Sequence, residues 1–109
     1  MSDNDTLQAA DVPAASAETE RADILAQIEE HRAQIDGIDK QLLALLNDRA
    51  ELSLAIRQLK AQVGMGLYAP QREASIVEAL QAANDGPLYN ENIAEIYKTI
   101  LEVMRKLSC

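Results

Sequence analysis

Along the middle of the chain, Ile28, Ile35, Ile38, Leu42, Leu45, Leu52, Ile56, Leu59 and Val63 recur at intervals built from three- and four-residue steps. Steps of that size bring side chains onto one stripe of a helix. No proline lies between Arg21 and Gln62, so the pattern predicts a single first helix of about forty residues. At 1.5 Å per residue such a helix would extend roughly 60 Å. That exceeds the diameter of an 11.9 kDa globule, and in a monomer most of the stripe would face water. The pattern therefore predicts association with another chain. Gly37 interrupts the run at about 1 kcal/mol relative to Ala and marks either a close helix contact or a tolerated defect.

The stretch "GMGLYAP" places Gly64 and Gly66 as stop signals, and Pro70 suits the first turn of a second helix over about Ala69 to Ala83, with Ile76, Val77 and Leu80 as its apolar face. "NDGPL" ends that helix. Asn90 can then cap a third from about Glu91 to Leu107, with Ile93, Ile96, Tyr97, Ile100, Val103, Met104 and Leu107 turned inward. The fold expected is all-α, three helices per chain with a very long first helix. Phe and Trp are absent and there are three Tyr, so aliphatic side chains must supply nearly all buried surface, as suits helices meeting through narrow stripes.

Charge narrows the class of partner. The chain carries a formal net charge of −8. Residues 1–20 hold Asp3, Asp5, Asp11, Glu18 and Glu20 without a Lys or Arg, which leaves −3 for the remainder. Nucleic acid is a poor partner for such a chain. The same twenty residues lack an apolar run and a basic start, which argues against a secretory signal or membrane anchor, and they are expected to form a disordered acidic tail ahead of a helical domain over 21–109. The single cysteine, Cys109, can staple nothing within the chain and fits a reducing cytoplasm. One histidine, His31, and no Cys or His cluster speak against a transition-metal site.

Cations intrude on the surface that should be buried. Arg49 falls on the stripe itself, Arg32 lies one turn past Ile28, and Lys60 one turn past Ile56. Long cationic side chains often snorkel out of an apolar face, yet three together point to an anion. Arg49 and Lys60 are eleven residues apart, which is about 20° in azimuth and roughly 16 Å along the axis. Their side chains can lean together around one small anion. Arg32 is seventeen residues from Arg49, about 25 Å away, so it could join the same site only from a second chain. "PQRE" at the start of the second helix adds Arg72, a fork for a carboxylate, and Glu73, on the side of Ile76, Val77 and Leu80. There Glu73 can accept a hydrogen bond from a ligand hydroxyl, or it is simply a first-turn carboxylate favoured by the helix dipole.

These pieces resemble the all-helical chorismate mutases, a family that also occurs fused to prephenate dehydratase. "RAQIDGIDKQLLALLNDR" is similar to the family's first-helix signature, and "LKAQVGMGLYAPQRE" to its Lys followed twelve residues later by Arg-Glu. "NDGPL" resembles the turn common in the fused enzymes. The resemblance covers about residues 22–107. It implies an intertwined homodimer in which each site borrows an arginine, with Arg49 and the partner's Arg32 on the substrate carboxylates and Lys60 on a carboxylate and the ether oxygen. Arg72 and Glu73 would orient the ring hydroxyl, and Ile56 and Leu101 would form apolar walls. The implied reaction is the rearrangement of chorismate to prephenate in phenylalanine and tyrosine biosynthesis, with no metal or organic cofactor.

The chain departs from the family pattern at three places. Met104 and Ser108 stand where the family usually has a Ser and, four residues later, a Gln or Glu; Ala69 stands where many members carry an acidic residue. Ser108 would take the place of the second donor to the ether oxygen. Two other readings fit parts of the pattern: isochorismate pyruvate lyase on the same fold, whose members tolerate an apolar residue near Met104, and a non-catalytic helical dimerisation or regulatory module. Keeping the spacing of Lys60, Arg72 and Glu73 speaks for the enzyme.

Overall fold

A computed structural model describes the backbone of residues 2–107 and the side chains of residues 16–107. Three helices follow one another, α1 (Ser2–Gln62), α2 (Pro70–Ala83) and α3 (Asn90–Lys106). No strand occurs among the described residues, so the all-α, three-helix expectation holds. The chain divides into two compact units, Met1–Ala44 and Leu45–Cys109.

The first unit is helical throughout its described length. Helical backbone begins at Ser2, upstream of the start expected near Arg21; the side chains of residues 1–15 lie outside those described. Ile35, Ile38 and Leu42 are each more than half exposed in this single chain. A Cβ on Gly37 would meet nothing within 4 Å among the described residues, so none of these supplies the close contact entertained for Gly37.

In the second unit, α1 ends where Gly64 takes a φ of +69°, a left-handed conformation that glycine adopts without a Cβ penalty. The Met65 N–H then bonds the Lys60 carbonyl at 2.9 Å. Pro70 opens α2 with the fixed φ that suits a first helical position. The turn to α3 is held by Asn84, whose Nδ2 donates to the Leu88 carbonyl at 2.7 Å while its Oδ1 accepts from the Gly86 N–H at 3.2 Å. The capping residue differs from expectation. Tyr89, extended at φ −83° and ψ 160°, takes the N-cap position expected for Asn90, and Asn92, three residues on, reaches back to accept the Tyr89 N–H at 2.9 Å.

α2 packs on α3. The buried side chains of α3 are Ile93, Leu101 and Met104. Ile96 and Val103, expected inside, are 45% and 49% exposed. The helix is apolar over much of its circumference, and its packing turns the Ile93–Leu101–Met104 side inward. Along the α1 part of this unit, Leu52, Ile56 and Leu59 are 66%, 53% and 60% exposed. An unpartnered apolar stripe of this kind is unfavourable in water at about 25 cal/mol per Å².

Candidate active site

A cavity of about 330 Å³ opens in the second unit. Its floor is the α1 segment that carries Arg49, Leu52, Ser53, Ile56, Arg57 and Lys60. Helical periodicity gathers these six, since each is three or four residues, or a sum of such steps, from the next of its row. Leu67, Ala69 and the first turns of α2, with Arg72, Glu73 and Ile76, close a second side. Leu101, Met104 and Arg105 of α3 close the third.

Most of the residues singled out from the sequence are brought together here. Arg49, Lys60, Arg72, Glu73, Ile56 and Leu101 all line the cavity. Arg32 is not among the lining residues; it belongs to the first unit, is 69% exposed and pairs with Glu29 at 2.9 Å. Ser108 lies outside the described residues. Ala69 and Met104, the departures from the family pattern, both line the cavity, so both leave apolar surface at positions where a polar side chain was expected.

Electrostatics separate the cavity from the rest of the molecule. Among the described residues, five cationic side chains and a single carboxylate face it in a chain of net charge −8. Arg49, Lys60 and Arg72 form no ion pair among the described residues; Arg49 makes only a long contact to Ser53 Oγ at 3.4 Å. Three uncompensated cations around one concave surface set up a field that draws a small polyanion. The other two cations are engaged. Arg57 donates from both terminal nitrogens to the carbonyls of Leu107 and Arg105. Arg105 donates to Glu73 Oε1 at 2.6 Å, and its guanidinium carbon lies 5.1 Å from the centre of the Tyr68 ring.

Arg57, Arg105 and Tyr68 were not singled out from the sequence. Arg57 carried a signal, since it stands one turn before Lys60 and so near the same face. Arg105 carried none, because its place at the site depends on how α3 packs, and Tyr68 enters only through its contact with Arg105. Among the described residues there is no group of three or more His, Cys, Asp or Glu that could hold a metal ion, and no helix is long and apolar enough to cross a membrane.

A family model for chorismate mutase type II matches residues 31–108. The chain belongs to that family. It is similar to the bifunctional chorismate mutase/prephenate dehydratase of Neisseria gonorrhoeae, 40% identical over 72 residues, covering 65% of this chain and 19% of that protein. The enzyme of the same name from Pseudomonas aeruginosa is 34% identical over 80 residues, covering 69% of this chain and 22% of that protein. The chain thus spans about a fifth of the length of these curated relatives. Among solved structures, chorismate mutase (form I) from Thermus thermophilus superposes with a TM-score of 0.70 at 31% identity, covering 72% of this chain and 98% of that one. The cation-rich cavity lies within the part of the sequence that the chorismate mutase type II family describes.

Proposed function

We propose that this chain is a chorismate mutase, an isomerase that rearranges chorismate to prephenate in phenylalanine and tyrosine biosynthesis in the cytoplasm. The observation that carries the reading is the set of three unpaired cations, Arg49, Lys60 and Arg72, around one cavity of a chorismate mutase type II family member.

The chemistry asks little of the protein beyond placement and charge. Chorismate is a dianion, and its rearrangement breaks a C–O bond as a C–C bond forms within one molecule, with no nucleophile or proton transfer. Binding both carboxylates folds the side chain over the ring and removes the rotational freedom that the reaction would otherwise lose. Negative charge grows on the ether oxygen as the C–O bond breaks, so a donor fixed at that atom stabilises the transition state more than the ground state. Lys60 is assigned this donor role and one carboxylate, and Arg49 binds a carboxylate. Arg72 and Glu73 orient the ring hydroxyl, and Ile56 and Leu101 pack on its apolar faces. Ser108 supplies a short second donor on the ether-oxygen side.

The active form in this reading is a homodimer, each site completed by Arg32 of the partner. The exposed apolar stripe of α1 supports it, because a partner helix would cover that surface. Residues 21–109 form the catalytic domain and residues 1–20 an appendage to it.

Incubating the purified chain with chorismate and following loss of its absorbance tests the proposal. Conversion to prephenate is expected. Inertness toward chorismate with release of pyruvate from isochorismate would assign the lyase reaction instead, and inertness toward both would leave a non-catalytic helical module.

A further inference from the structure

Glu73 is the cavity's one carboxylate among the described residues, and it is already held. Arg105 Nη1, from the last turn of α3, lies 2.6 Å from Glu73 Oε1 in the first turn of α2. The same guanidinium rests against the face of Tyr68, in the connection that precedes α2, at 5.1 Å from the ring centre. Three separate segments thus meet at one guanidinium. The side chains of Arg105 and Glu73 are 37% and 22% exposed, so the pair sits at the cavity wall and not in free solvent.

Two physical consequences follow. A carboxylate has two oxygens and about four acceptor positions, so a bond to Oε1 leaves Oε2 able to accept from a ligand while fixing the plane in which it does so. A glutamate side chain also turns about several bonds. With nothing to hold it, the carboxylate would be drawn to the nearby unpaired cations and would compete there with an anionic ligand. The guanidinium fork is itself kept in place by the Tyr68 face, a cation–π contact that a lysine would make with a different geometry.

We propose that Arg105 is a positioning residue for Glu73: it aims the carboxylate at the hydroxyl of the bound substrate and keeps it off Arg49, Lys60 and Arg72. The proposal rests on the chorismate mutase reading given above. It makes Arg105 act through Glu73 and not on the reacting atoms.

The test compares chorismate with an analogue lacking only the ring hydroxyl, using wild-type protein, Arg105→Leu and Arg105→Lys. Arg105→Leu should lower kcat/KM for chorismate by about tenfold to a hundredfold, the range expected when a substrate-orienting group is misplaced. For the deoxy analogue the loss should be several-fold smaller, and Arg105→Lys should restore part of the preference for the hydroxyl. Calorimetric binding of saturated, unreactive analogues with and without the hydroxyl gives the same comparison without turnover. Should Arg105→Leu fail to fold by circular dichroism, Tyr68→Leu, which removes the stacking face and leaves the ion pair, should show a weaker loss of the same hydroxyl-dependent kind. Losses equal for the two ligands, or no loss, would overturn the inference while leaving an active wild type as a mutase. A wild type that does not convert chorismate would overturn the proposed function, and the binding comparison would still decide whether Arg105 sets hydroxyl recognition.

Discussion

The guanidinium of Arg57, in α1, donates to the carbonyl of Leu107, the residue that closes α3. Its other terminal nitrogen donates to the Arg105 carbonyl. The last carbonyls of a helix have no partner within it, and a cation there is favoured by the helix dipole as well. One side chain therefore ties the end of α3 to the floor of the cavity.

Arg57→Leu should fray that end and lower unfolding free energy by about 1 kcal/mol, less than the roughly 1.5–3 kcal/mol of a buried hydrogen bond from a charged donor, because the contact is partly exposed. Urea unfolding followed by circular dichroism reads it. An unchanged midpoint at an unchanged slope would mean that water serves the Leu107 and Arg105 carbonyls equally well.

Arg49 enters an apolar stripe without an ion-pair partner among the described residues. Such a cation costs stability unless an anion compensates it. Arg49→Leu should therefore leave the protein as stable or more stable while reducing turnover of chorismate at least about a hundredfold, as removal of a charged transition-state contact does. Thermal unfolding and initial rates on the same preparation decide. Joint loss of stability and activity would give Arg49 a structural role.

The exposed stripe of α1 predicts self-association. Sedimentation at micromolar concentration should find a dimer, and the unfolding midpoint should rise with protein concentration, since binding to the native state stabilises it by mass action. A folded monomer whose midpoint is independent of concentration would exclude it.

The proposed sharing of the site between two chains allows a stricter measurement. Arg32→Ala and Arg49→Ala chains should each be nearly inactive alone. In a mixed dimer one site would carry both lesions and the other neither, so an equal mixture refolded together should form mixed dimers about half the time and recover roughly a quarter of wild-type activity. Mixed dimers isolated by two affinity tags and found inactive would show that Arg32 and Arg49 do not serve one site.

Ser108 is shorter than the Gln or Glu usual in the family by several ångströms. Ser108→Gln should raise kcat by supplying a fuller second donor where transition-state charge develops, an effect of up to about a hundredfold for one such donor. A lower or unchanged rate in a folded variant would place another group at the ether oxygen.

What could be read from the sequence was whatever local periodicity fixes. Helix spacing alone set Arg49, Ile56 and Lys60 near one face of α1, and all three line the cavity. Gly64 and Pro70 marked the break between helices because their backbone preferences act within one turn. The cluster of Arg72 and Glu73 with these residues was reached through the joint spacing of the two segments, which resembles the chorismate mutases.

The tertiary structure alone decided the rest. α3 is apolar on more than one side, and only packing selected Leu101 and Met104 over Ile96 and Val103 as buried. That choice brings Arg105 to Glu73, thirty-two positions away, and Arg57 to Leu107, fifty away. Such contacts have no period in the chain. They follow from the angle and rotation at which one helix meets another, which are set by the summed burial of many side chains and not by the residues that meet.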